Sequence, residues 1–128
     1  MRQAPILTDD YEQMSCCAAR CVARQVLRDP ESVLGLPTGN TPTGMYLALV
    51  SMFRDRNADF SRAGVVMLDE FCDVPPEDPR SFQSYIRRNF LDHVNAPGDR
   101  LVVLSGLLDP RTVCTEPVSY THLTLPTN

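Results

Sequence analysis

The chain has 128 residues, a net charge of −4, 43% hydrophobic and 22% charged residues, the balance of a soluble globular protein. All twelve basic residues are arginine, which excludes within this chain a Schiff-base or pyridoxal-phosphate lysine and the lysine of a Walker-type loop. The arginines are scattered among acids, no apolar run is long enough to cross a bilayer, and residues 1–12 lack the apolar segment of a signal peptide. A cytoplasmic protein with no nucleic-acid or membrane partner is therefore expected.

A first helix is predicted from about Asp9, where Asp9 and Glu12 have capping-box spacing and Asp10 adds negative charge to the first turn. Met14, Cys17, Ala18, Cys21, Val22 and Val26 recur at helical spacing and define its core-facing stripe, with Arg20, Arg24 and Arg28 off it. The five cysteines, Cys16, Cys17, Cys21, Cys72 and Cys114, are odd in number and lack CxxC spacing, which points to reduced thiols. Cys17 and Cys21 are one helical turn apart on the stripe and are assigned to core packing, so no metal is expected.

Residues 32–36 read as a strand, apolar on successive positions as in a parallel sheet covered on both faces. A Gly/Thr loop comes next, at residues 38–41. Thr41 is then expected as the N-cap and Pro42 as the first residue of a second helix, whose apolar face is Tyr46, Leu47, Leu49, Val50 and Phe53. Residues 64–68 form a second strand that delivers Asp69 and Glu70 at its C-terminal end. The Pro- and acid-rich segment 72–80 cannot be helical before Ser81, which caps a third helix carrying Phe82, Tyr85, Ile86, Phe90 and Val94. A turn at residues 95–99, a third strand at 101–104 and a helix beginning near Asp109 complete the pattern. Alternating strands and helices, without repeat or linker, predict a Rossmann-like α/β fold, a parallel sheet with flanking helices. From Val118 the tail reads without a break as the in-frame translation of a transposon-type sequencing adapter. Residues 118–128 are thus expected to be non-native, and residues 1–117 to be the N-terminal part of a truncated domain.

Two clusters lie where ligands bind such folds, outside the C-terminal ends of the strands. In the loop of Thr38, Gly39, Asn40 and Thr41, glycine permits close backbone approach, and the hydroxyls and helix N-terminal amides can donate to an anion. An ordinary strand-to-helix turn would have the same local pattern. Asp69 and Glu70, adjacent on an extended chain, point to opposite faces. One can then face the cleft as a general base while the other is fixed by an arginine or a backbone amide. Helix-capping or loop-bracing acids are the competing reading.

The segments VLGLPTGNTPTGMYLALV, VVMLDEFCDVPPEDPRSFQSYIRRNFLDHV and LVVLSG closely resemble the N-terminal half of the glucosamine/galactosamine-6-phosphate isomerase family, the glucosamine-6-phosphate deaminases. The resemblance covers nearly all of residues 1–117. It implies an enzyme that converts an amino-sugar 6-phosphate, glucosamine 6-phosphate, into fructose 6-phosphate and ammonia. By the same resemblance Thr38, Gly39, Asn40 and Thr41 hold the sugar phosphate, Asp69 is the base that moves a proton between C2 and C1 of the opened sugar, and Glu70 and Ser81 support it. No cofactor is implied, the partner is a small phosphorylated amino sugar, and a homo-oligomeric full-length protein is compatible with it.

The family's second acidic and histidine motif, of G-x-G-x-D-G-H type followed by a ring-opening Glu, has no match here. His122 lies in the tail, and His93 is expected to pack or to sit on the surface. The chain as written is expected to be catalytically incompetent and marginally folded in isolation. Two rival readings share the architecture. A 6-phosphogluconolactonase usually carries a Gly-Asp-Glu-Arg type segment where this chain has LDEF, and Phe71 in place of Arg favours the deaminase. A sugar-phosphate-sensing domain of a transcription regulator would need an upstream helix-turn-helix.

Overall fold

The computed structural model describes residues 4–109, 111 and 112. In chain order they form α1 (Tyr11–Arg28), β1 (Val33–Leu36), α2 (Asn40–Arg54), β2 (Gly64–Met67), α3 (Phe82–Asn89), two 3-10 turns (Leu91–His93 and Gly98–Arg100) and β3 (Leu101–Val102). The strands make a parallel sheet in the order β1-β2-β3. This is the expected α/β architecture, with β3 two residues long rather than four. Residues 111 and 112 are helical. The rest of the helix expected from Asp109, Cys114 and the tail 118–128 lie outside the described residues.

The inner face of the sheet is set by strand alternation. Leu34 and Leu36 on β1 stand beside Val65 and Met67 on β2, and Leu36, Val65 and Met67 are buried with Tyr46, Leu49, Phe60, Ile86 and Phe90 in one core. Val33, on the other face of β1, is 60% exposed. The expectation of a strand covered on both faces is therefore corrected for β1, whose Val33 and Gly35 face is exposed among the described residues.

The α1 cap lies one residue later than the sequence suggested. Asp10 is the N-cap and accepts from Gln13 N at 2.8 Å, while the Gln13 side chain accepts from Asp9 N at 3.2 Å. Gln13, not Glu12, thus carries both bonds, and its side chain reaches back to the residue before the cap rather than to the cap itself. The buried face is also rotated from the predicted stripe. Ser15, Ala19 and Val26 are buried, Cys17 is partly exposed and Cys21 exposed, so neither cysteine belongs to the core. The reason is close packing on α2, because a Cβ built on Gly44 would stand 2.3 Å from Ser15 Oγ and 2.9 Å from a Tyr11 ring carbon. Such an approach admits only small side chains, whereas periodicity weighs hydrophobicity and selects larger ones.

In α2, Gly39 rather than Thr41 is the N-cap and Pro42 is the third helical residue. Proline is tolerated there because a first-turn N–H has no intrahelical acceptor. Leu47, expected in the core, is 64% exposed. Ser81 caps α3 by accepting from Gln83 N and Ser84 N. The helix ends at Asn89, before Val94, and the exposed His93 ring bonds the Arg88 carbonyl.

Candidate active site

The register that pairs Leu36 with Met67 brings the first residues of two loops side by side at one sheet edge. Adjacent strands lie about 4.8 Å apart, so Thr38 and Asp69, each two residues beyond its strand, leave the sheet as neighbours. Gly39 has φ 111° and ψ −174°, a region that only glycine occupies without strain. It turns β1 directly into α2. Asn40 and Thr41 are the first two residues of α2, and their amides have no intrahelical acceptor. The hydroxyls of Thr38 and Thr41 and the Asn40 carboxamide have no hydrogen-bond partner among the described residues.

The carbonyls of this loop, by contrast, are engaged. The Tyr46 hydroxyl donates to the Pro37 carbonyl, Tyr85 to Gly39, and Tyr11 to Asn40 at 2.7 Å. Thr43 Oγ1 lies 2.8 Å from the Gly39 carbonyl, to which it donates, and 2.7 Å from the Tyr85 hydroxyl. Burial, with Tyr85 nearby, pushes the Tyr46 phenol well above the usual tyrosine range, so it remains a proton donor. Sequence periodicity assigned Tyr46 and Tyr85 to helix cores and did not single out Tyr11 or Thr43. The available signal was the phenol, since a buried tyrosine needs a partner for its hydroxyl.

The two adjacent acids occupy different surroundings. Asp69 is exposed, and its carboxylate has no partner among the described residues. Glu70 lies against the start of α3, accepting from Phe71 N at 2.9 Å, Ser81 Oγ at 2.9 Å, Phe82 N at 3.0 Å and Gln83 N at 3.2 Å. Burial works against its charge but is outweighed by the bonds from Phe82, Phe71, Ser81 and Gln83, which together hold the carboxyl below the ordinary glutamate range. A carboxylate at a helix N-terminus also complements the dipole. Glu70 is thereby a brace for α3, with Ser81 part of the same network.

This brace has a defined pH signature. Because the folded pKa of Glu70 lies below the unfolded value, near 4.5, its contribution is fully present above that value and is lost as pH falls through the folded pKa. Thermal melts of wild type and Glu70→Gln between pH 7 and pH 3 are expected to differ most at neutral pH and to converge in acid. Curves that stay parallel over the whole range would refute the brace.

The remaining partners come from the segment after β3. Gln83 Nε2 donates to the Leu104 carbonyl at 3.1 Å and Asp73 N to the Gly106 carbonyl at 2.7 Å, tying that segment to α3 and to the loop after Asp69. Phe71 packs on Phe82 in a tilted arrangement with ring centroids 4.5 Å apart. Among the described residues no group of three or more His, Cys, Asp and Glu side chains could hold a metal ion. No helix there is long and apolar enough to cross a membrane.

A strand-to-helix loop and, beside it, a carboxylate without a partner among the described residues stand at the C-terminal edge of a parallel sheet with flanking helices, a Rossmann-like α/β fold, and in such folds that edge is where ligands bind. Within that class, the chain belongs to the family of glucosamine-6-phosphate isomerases/6-phosphogluconolactonase, which it matches over residues 11–118. It is 40% identical to a glucosamine-6-phosphate deaminase of Alkaliphilus metalliredigens over 114 residues, 89% of this chain and 46% of that protein. A glucosamine-6-phosphate deaminase of Halothermothrix orenii is 42% identical over 102 residues, 80% of this chain and 42% of the relative. The chain therefore spans under half the length of these relatives. Among solved structures, a monomeric glucosamine-6-phosphate deaminase superposes with a TM-score of 0.81 at 32% identity, covering 84% of this chain and 45% of that one. A 6-phosphogluconolactonase of Thermotoga maritima superposes at 0.67 with 20% identity, covering 91% of this chain and 53% of its own, a likeness of fold.

Proposed function

We propose that this chain is the N-terminal half of an amino-sugar 6-phosphate deaminase, in which residues 38–41 hold the phosphate and Asp69 is the catalytic base. The observation that carries the reading is the Leu36–Met67 register, which starts an amide-rich loop and the segment carrying the Asp69 carboxylate from neighbouring strands. The reaction is glucosamine 6-phosphate plus water to fructose 6-phosphate plus ammonia. In the open-chain aldehyde, the base takes the proton from C2 and returns it to C1. C2 then becomes an imine, which water converts to the ketone with release of ammonia. An exposed aspartate with no competing partner among the described residues can approach C2, whereas Glu70, holding four donors, cannot.

Thr38, Gly39, Asn40 and Thr41 would bind the phosphate through amides and hydroxyls, with Glu70 and Ser81 in support. The same reading makes the full-length protein a cytoplasmic enzyme of amino-sugar catabolism with no nucleic-acid partner. The test is to assay the full-length protein with glucosamine 6-phosphate, following ammonia and ketose 6-phosphate, and separately with 6-phosphogluconolactone. Equimolar ammonia and ketose are expected. Lactone hydrolysis without ammonia release would replace this reading with the lactonase.

A further inference from the structure

Three tyrosines from three helices, Tyr11 on α1, Tyr46 on α2 and Tyr85 on α3, each donate a hydroxyl to a different backbone carbonyl of one short loop: Asn40, Pro37 and Gly39. No cis peptide bond is present among the described residues. In a trans peptide the carbonyl and the following N–H point in opposite directions. Anchoring the carbonyls of Pro37, Gly39 and Asn40 therefore aims the amides of Thr38, Asn40 and Thr41 away from the phenols that hold them.

We propose that Tyr11, Tyr46 and Tyr85 are positioning residues for anion binding: a clasp that pins the carbonyls of residues 37, 39 and 40 so that the loop presents N–H groups to the ligand's phosphate. This rests on the phosphate-loop reading above. A carbonyl facing the phosphate would repel it, and Gly39, with φ 111°, has the conformational freedom to flip its peptides if they were not held. Thr43 Oγ1, within reach of both the Gly39 carbonyl and the Tyr85 hydroxyl, closes the clasp around the most flexible residue. Tyr11 adds a second constraint, accepting from Gly44 N at 2.9 Å while donating to Asn40 O. It thus couples the first turn of α2 to α1.

The test uses the full-length enzyme with Tyr85→Phe and Tyr11→Phe, which remove one oxygen and keep the ring. Tyr11 is 50% exposed, so its variant retains the fold even if Tyr85→Phe does not. In each, KM for glucosamine 6-phosphate and the inhibition constant of inorganic phosphate are expected to rise together by about fivefold, the loss of a single hydrogen bond, while kcat changes by less than about twofold. A lowered melting temperature with both constants unchanged would make the tyrosines merely structural and overturn the clasp, leaving the phosphate loop intact. A wild-type enzyme that turns over the sugar but is not inhibited by inorganic phosphate would overturn the phosphate-loop reading and the clasp with it.

Discussion

Asp69→Asn in the full-length enzyme is expected to lower kcat for deamination by about 10²- to 10⁴-fold, the usual contribution of a positioned acid/base group. The amide is nearly isosteric with the carboxylate but cannot take a proton from C2. Asp69 is exposed and has no partner among the described residues, so the substitution should leave stability within about 0.5 kcal/mol of wild type. Its effect can therefore be read as chemistry rather than as misfolding. Steady-state kinetics with glucosamine 6-phosphate, paired with a thermal melt, check both parts. A variant that keeps more than a tenth of wild-type kcat would remove Asp69 from the role of base. Glu70→Gln is the informative contrast, since its four hydrogen bonds predict a loss of stability first.

Phe90→Ala should be the most damaging truncation of the core, costing about 3–5 kcal/mol. The ring is fully buried and meets Tyr46 at 5.5 Å and Phe60 edge-on at 5.2 Å between centroids. Removing it opens a cavity beneath Tyr46, whose hydroxyl holds the Pro37 carbonyl. The lesion should thus reach the loop of residues 37–41 as well as the core. Urea titration of the purified protein would show the midpoint falling, with Leu47→Ala as control. Leu47 is also an apolar residue on a helix, but it is 64% exposed, and its truncation should change stability by no more than about 0.5 kcal/mol. Equal losses in the two variants would mean that the core is not where the structure places it.

The element order and both site loops were open to sequence reading because they depend on local chemistry. Glycine and proline punctuate the chain, Ser81 can cap only a helix that begins after Pro79, and the acids at residues 69 and 70 end an apolar run. Strand alternation alone separates Asp69 from Glu70. Local pattern was insufficient wherever a neighbouring element chose between similar candidates. The face of α1 was set by how closely Gly44 lets α2 approach Ser15, so small residues displaced the more apolar stripe of Met14, Cys17 and Cys21. The cap of α2 moved to Gly39 because the chain must leave β1 and enter the helix within three residues, a geometry that Gly39 supplies with a positive φ.

Periodicity, turn chemistry and strand direction are properties of short segments, and they were enough to determine the parallel α/β order, the family resemblance and the residues available at the sheet edge. It took the packed molecule to decide that Asp69 is exposed and without a partner among the described residues while Glu70 braces α3, and that Tyr11, Tyr46 and Tyr85 converge on one loop. Those three residues stand up to 74 positions apart in the chain. Their hydroxyls meet neighbouring carbonyls because three helices pack at one end of the sheet, and no local pattern carries that information.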